Sequence, residues 1–236
     1  MSFETIVAKK TPEKIGLIQI NRPDKRNALS IRVRREISDC LKDWIEDSEV
    51  GVVIFSGTGD MFSAGFDLKE FSQPDLMEEV YLSSSRYHRD VWNFPKPTIA
   101  AVEKMALGGG FDLATLCDIR ICSESAQFGH PEIKFGGPPL FTPLRWIVGN
   151  AMARELCLTG RKFGAGEAYR LGLVSEVVGD GCALEKAKQI AGTILEAPMS
   201  TLITTKRFMT IDSGLGFEES FVNEHDKPFQ SVLPQE

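Results

Sequence analysis

The chain lacks most of the features that mark a specialised setting. Its 236 residues include five cysteines, Cys40, Cys117, Cys122, Cys157 and Cys182. They form no CxxC pair and their number is odd, which argues against a disulfide framework and against a metal site, and fits reduced thiols in a cytoplasm. The net charge of −6 leaves no basic footprint for nucleic acid. No apolar run approaches the ~18 residues that span a bilayer, and the opening MSFETIVAKK has no apolar secretion core. Neither a membrane span nor export is therefore expected. Internal repeats, low-complexity segments and long linkers are also missing, so one main globular unit is expected.

What is present is ordinary in amount, with 42% hydrophobic and 25% charged residues. The order of elements is more informative. Strand-like runs at residues 5–8 and 15–20 flank the turn-prone KKTPEK and predict a hairpin. Ser30 is placed to cap a helix over residues 31–44, where Ile31, Val33, Ile37, Leu41 and Trp44 recur at helical spacing. A buried strand at 50–55, a polar helix at 75–92, one or two strands in PKPTIAAVEKMAL, a helix at 109–116 and a strand at 119–122 follow. This alternation predicts an α/β core. From residue 142 onward the pattern is mostly helical, apart from VSEVV near Val174.

The stretch MALGGGFDLATLCD, residues 105–118, poses the main question. Three glycines stand directly before a helix, although each costs roughly 1 kcal/mol against alanine inside one, and Asp112 puts an acid into an apolar segment. A glycine-rich turn at a helix start frees backbone N–H groups and lets a ligand approach them. A second glycine-containing loop, FSAGFDLKE, also follows a buried strand. Two such turns can aim two N–H groups at one carbonyl oxygen. A lone glycine run would otherwise be read as a packing device.

FSAGFDLKE, then PKPTIAAVEKMALGGGFDLATLCDIRI, then AQFGHPEI, in that order, resemble the crotonase (enoyl-CoA hydratase/isomerase) superfamily, as do INRPDKRNALS and LTGRKFGAGEAYRLGLVSEVV. The resemblance implies a crotonase-like (ClpP/crotonase) ββα spiral core with a helical C-terminal region. The core and its acyl-CoA site would occupy residues 1–178, and residues 179–236 would form a helical trimerisation region. It implies binding of an acyl-CoA thioester, with coenzyme A entering as part of the substrate and no separate cofactor. The enolate-like oxyanion would be held by the backbone N–H groups of Phe66 and Gly109. A homotrimer or dimer of trimers would follow, with Phe208, Met209, Phe217 and Phe221 between subunits.

The hydratases of this family use two glutamates; the matching positions here are Asp112 and Glu132. Asp112 is one methylene short, about 1.5 Å of reach, and is open between a catalytic acid and a helix N-terminal carboxylate. The next loop, IKFGGPPLFTPL, brings three prolines without N–H groups to a segment that helps position water in hydratases. The further downstream acid of the dienoyl-CoA isomerases is missing, with Leu140 near its place. Contacts to CoA and acyl group are expected from Arg26, Ala28, Ala64, Phe66, Asp67, Leu68, Lys69, Gly108 and Leu140, with Lys25 and Lys227 as further phosphate candidates. His130 is read as a structural histidine, with a hydrogen bond to the acid as the alternative. His88 and His225 have weaker claims, and Cys117 is read as core. Hydration of a 2-enoyl-CoA leads as the activity. The alternatives are double-bond isomerisation by Glu132 alone, covered by Phe135 and Leu140, and a non-catalytic acyl-CoA-binding scaffold.

Overall fold

The computed structural model describes residues 3–211; the expected roles of Phe217, Phe221, His225 and Lys227 lie outside the described residues. The strands, in chain order, are β1 (Ile6–Lys10), β2 (Ile15–Ile20), β3 (Val52–Gly57), β4 (Thr98–Val102), β5 (Met105–Leu107), β6 (Ile119–Ser123), β7 (Gln127–Gly129), β8 (Phe163–Gly164) and β9 (Glu176–Val178). The helices are α1 (Ile31–Trp44), α2 (Leu68–Phe71), α3 (Met77–Trp92), α4 (Gly109–Leu116), α5 (Phe141–Val148), α6 (Asn150–Thr159), α7 (Ala165–Arg170), α8 (Ala183–Ile194) and α9 (Met199–Ile211).

A six-stranded sheet runs in the order β1-β2-β3-β4-β6-β9. The β1–β2 hairpin is antiparallel, as its turn chemistry predicts, and every later pair is parallel. Parallel strands covered on both faces read as near-continuous apolar runs, and VVIF of β3 divides accordingly. Val53 and Phe55 point into one core with Ile18, Ile20, Ala100 and Val102. Val52 and Ile54 point into a second core with Leu17, Ile99, Ala101 and Ile121. The first core is closed by Ile37, Leu41 and Trp44 of α1 and by Leu113 and Leu116 of α4. Each fully buried large apolar side chain contributes roughly 1.5–3 kcal/mol. Ser30 caps α1 as expected, accepting from the Val33 N–H at 3.3 Å. The second core is closed by α8 through Ala183, Ala187 and Ala191, one small residue per turn, which lets the helix lie close on the sheet. The expected boundary at 178/179 thus falls between β9 and a helix that covers the main sheet.

A smaller sheet positions the site. β5 pairs parallel with β7, and β7 pairs antiparallel with β8. The segment after β3 joins the other edge of β5 through a parallel bridge between Ser63 and Ala106. Ser63, Ala106, Phe128 and Phe163 therefore lie in one row. Each turn of chain gives one strand to the large sheet, one to the small sheet, and then a helix: β4, β5, α4, and next β6, β7 and a 3-10 turn (Pro131–Phe135). This is the ββα spiral. No helix among the described residues is long and apolar enough to cross a membrane.

α9 is pinned under the sheet by one buried cation. Lys206 Nζ lies 2.8 Å from Asp118 Oδ2 and donates to the Lys96 carbonyl at 2.9 Å. The same Asp118 oxygen accepts from the Thr98 N–H at 2.7 Å, so the pair ties α9 to the start of β4. Breaking such a pair from one side strands the other charge. Lys206→Met is therefore expected to lower the unfolding free energy by ~3 kcal/mol, measured by chemical denaturation; an unchanged denaturation midpoint would refute this anchoring.

Candidate active site

Three neighbouring segments of the small sheet end side by side, and each delivers one part of a site. After Ser63 comes Phe66; after β5 come Gly108, Gly109 and then Asp112; after β7 come His130 and Glu132. The Gly108 N–H donates to the Gly129 carbonyl at 2.9 Å, which extends the β5–β7 register to the ends of both strands. Ligands of parallel α/β sheets bind beyond the carboxyl ends of the strands, and this cluster obeys that rule.

Each glycine of the run makes room for a different neighbour. Gly108 has φ of +52°, and a Cβ there would sit 3.1 Å from the Glu132 Oε2. A Cβ on Gly109 would meet the Phe66 ring at 2.5 Å, and one on Gly110 would meet the Ser63 carbonyl oxygen at 2.7 Å. The carboxylate, the aromatic ring and the preceding strand all close on α4 at its first turn. The glycines are thus required by close approach on three sides as well as by the turn.

Two backbone donors stand unpaired there. Leu29 bridges Phe66 in parallel, its N–H donating to the Gly65 carbonyl and its own carbonyl accepting from the Asp67 N–H. That pattern leaves the Phe66 N–H on the opposite side, where it finds no acceptor among the described residues. The Gly109 N–H is one of the orphan donors at the start of α4. The backbone positions are adjacent, since a Cβ on Gly65 would lie 3.4 Å from the Gly109 nitrogen. Two unpaired N–H groups at a helix N-terminus can stabilise developing negative charge.

The Phe66 loop rests on a residue that the sequence reading passed over. Arg34 of α1 is fully buried and its guanidinium lies 4.6 Å from the Phe66 ring centroid. It donates to the Leu29 carbonyl at 2.8 Å and to Ser83 Oγ of α3, and it faces Glu70 at 3.5 Å. Its position in the apolar stripe of α1, three residues from both Ile31 and Ile37, was the available signal.

Two acids and two histidines gather here. Asp112, from α4, is buried, and both of its oxygens face histidines at 3.8 Å: Oδ1 faces His130 Nδ1 and Oδ2 faces His88 Nε2 of α3. Glu132 Oε1 lies 2.8 Å from the same His130 Nδ1. The two carboxylates therefore converge on one nitrogen. His130 is fully buried against the Phe111 ring, with centroids 4.8 Å apart. Its Nε2 has no partner among the described residues, so an imidazolium would bury an N–H without an acceptor. A carboxylate oxygen accepts, so the Nδ1–H of His130 donates to Glu132. His130 is thus the hydrogen-bonding partner of the acid, the alternative reading of the sequence, and His88 joins the cluster although its claim looked weaker. Burial holds the Asp112 carboxyl above the usual carboxylate range; the Glu132 charge adds to this, while His88 and His130 oppose it. The helix N-terminus alone would have done the reverse.

The expected CoA residues form a rim. The Ala64 N–H donates to the Arg26 carbonyl at 3.0 Å. Arg22 joins Ala28 to Asp67, donating to the carbonyl of the first at 2.8 Å and pairing with the carboxylate of the second at 2.9 Å. Asp67 also caps α2, accepting from the Lys69 N–H. Its carboxylate is therefore engaged within the protein. Arg26, Leu68 and Lys69 are exposed along this rim, whereas Leu140 is half-buried at the start of α5. Phe135, expected to cover Glu132, is instead 82% exposed. The five cysteines are all free. The Cys117 thiol donates to the Leu113 carbonyl and burial pushes it up to about 12, as befits core rather than a nucleophile.

Residues 10–225 match the sequence profile of the enoyl-CoA hydratase/isomerase family. The chain is 40% identical over 245 residues to a probable enoyl-CoA hydratase of Rhizobium meliloti, covering all of this chain and 92% of that protein. It is 39% identical to a crotonyl-CoA hydratase of Syntrophomonas wolfei, covering 83% and 77% of the two. The crystal structure of an enoyl-CoA hydratase from Bacillus anthracis superposes with a TM-score of 0.91 at 30% identity, over 97% of this chain and 91% of that one. The chain belongs to the enoyl-CoA hydratase/isomerase family, and its ββα spiral is the crotonase fold.

Because a Cβ on Gly109 would collide with the Phe66 ring, Gly109→Ala is expected to displace Phe66 and with it the second donor. Losing one oxyanion donor costs ~10²–10³-fold in kcat elsewhere. A loss of at least ~10²-fold in turnover of an acyl-CoA, with the far-ultraviolet spectrum unchanged, is the expected outcome; undiminished kcat would separate these donors from the chemistry.

Proposed function

We propose that this protein adds water across the C2=C3 bond of a 2-enoyl-CoA, carrying over to it the activity that its relatives' names describe. The observation that carries the reading is the convergence of Asp112 and Glu132 on His130 beside two unpaired N–H groups. The N–H groups of Phe66 and Gly109 form the oxyanion hole for the thioester oxygen, where charge develops as C3 is attacked. Asp112 takes one proton from water while the hydroxyl bonds to C3, and Glu132 delivers a proton to C2. His130 fixes the Glu132 carboxyl by its Nδ1–H. The exposed Arg26 and Lys69 meet the CoA moiety at the rim, and coenzyme A serves only as the substrate carrier.

One observation favours isomerisation as the second reading. The Asp112 side chain is 11% exposed and that of Glu132 26%, so Glu132 is the more accessible of the two acids. Isomerisation needs one base that serves both ends of a three-carbon unit. The two readings separate by substitution. For a hydratase, Asp112→Asn and Glu132→Gln should each cost at least ~10²-fold in hydration; for an isomerase, only Glu132→Gln should be severe in conversion of 3-enoyl to 2-enoyl-CoA. Full activity of Glu132→Gln in both assays would leave only a binding scaffold.

We further propose a homotrimer or dimer of trimers. Support comes from α9, where Met209 is 62% exposed and Phe208 half-buried, more apolar surface than a solvated helix face needs. Light scattering at micromolar concentration should return three or six times the chain mass; a monomer would overturn it.

A further inference from the structure

His88 is drawn into the site by a different element from the acids. It lies on α3, and its ring is fixed by its own helix: Nδ1 is 2.7 Å from the Ser84 carbonyl oxygen and 3.3 Å from Ser84 Oγ. A carbonyl only accepts, so Nδ1 carries a hydrogen. The other nitrogen, Nε2, faces Asp112 Oδ2 at 3.8 Å. With Nδ1 already protonated, a neutral ring would turn a lone pair toward the carboxylate, which repels. At 3.8 Å the contact is an attractive charge pair when the ring carries a second proton on Nε2. The ring also touches Phe66 edge-on, with centroids 6.0 Å apart, and its side chain is 21% exposed while Asp112 is sealed beneath it.

We propose that His88 is the positioning residue of Asp112, facing its carboxylate as a cation across 3.8 Å and linking that buried acid to solvent. The proposal rests on the hydration reading and goes beyond it. Water gives hydroxyl to C3 and its remaining proton to Asp112; Glu132 gives a proton to C2. The His88–Asp112 pair is then one proton over and Glu132 one short. The half-exposed ring releases the surplus to water, and Glu132, the more open acid, takes one back. The groups that face Asp112 are His88 and Tyr87 from α3, His130 and Glu132 from the turn after β7, and Cys157 from α6. Of these only the histidines can turn cationic, and His130 is committed to Glu132, so the role falls to His88.

The test uses His88→Phe, which removes the ring nitrogens, and His88→Gln, which keeps a donor without a charge. An opposite charge at this distance shifts a carboxyl by about 1–3 pH units. In both variants the acidic limb of kcat/KM for 2-enoyl-CoA hydration should therefore move up by about one pH unit, so that kcat/KM falls up to about tenfold on the acid side of that limb and recovers at higher pH, with KM little changed. A second measurement is independent of turnover. The chain has three histidines, so 15N ring shifts are assignable by their loss in His88→Gln, and at mildly acid pH the His88 ring should be protonated to a larger fraction beside Asp112 than in Asp112→Asn. Equal fractions in the two proteins, or a uniform fall in kcat with both pH limbs unmoved, would overturn the proposal. A wild-type protein that hydrates no 2-enoyl-CoA, with the ring shifts still dependent on Asp112, would remove the hydratase reading and leave the His88–Asp112 pair standing.

Discussion

The parallel register of the small sheet governs the rest of the molecule. Ser63, Ala106 and Phe128 lie in one row, and the hydrogen bond from Gly108 to Gly129 carries the pairing to the ends of the strands. Because the three segments run the same way, their carboxyl ends stop at one edge. Whatever follows each strand is then delivered to the same place: a loop donor, a helix N-terminus, a carboxylate. A one-residue slip would reverse every side chain across the sheet and would also separate the two N–H groups. The large sheet, with α1, α4 and α8 on its faces, supplies the buried area that keeps this small and otherwise marginal sheet in register.

The glycine run is where this geometry meets the sequence. Parallel ends that stop together bring neighbours within van der Waals contact of one helix start, and a side chain on any of the three positions would obstruct a different neighbour. The flexibility has an energetic cost in the unfolded chain, and burial of Asp112 adds another. Asp112 is held above its ordinary range by burial, while His130 leaves one ring nitrogen with no partner among the described residues. Such a cluster is a poor choice for stability and a good one for proton transfer, since acids whose environments differ are easily given different roles. Arg34 belongs to the same trade: a fully buried guanidinium offers less stability than an apolar side chain of its size would, yet it stacks under the ring of the residue that presents the loop donor.

Much of this was legible in the residues. Ser30 with the apolar spacing of α1, the turn before Ile15 and the continuous apolar run of β3 determine their elements through local periodicity and capping, which need no tertiary partner. The resemblance carried by the motif order around FSAGFDLKE, GGGFD and GHPEI implied that Phe66, Gly109, Asp112 and Glu132 belong to one site. The helix expected from about residue 109 to 116 forms over Gly109–Leu116, since glycine and the following apolar run mark its start.

Other features became visible only when the chain was folded. β7 and β8 are three and two residues long, too short to carry a period; β7 exists because β5 offers an edge, and β8 because β7 does. Phe135 is apolar yet exposed, and Asp67 is acidic yet spoken for by Arg22, since neither local pattern knows what the neighbouring turn will present. His88 stands 24 positions before Asp112 on a helix that reads as polar surface, and only the packing of α3 against α4 turns its ring toward the acid. Periodicity and motif order fix which elements form and which residues follow the strands. The protonation of the site depends on distances between side chains from separate elements, and those distances exist only once the two sheets have closed.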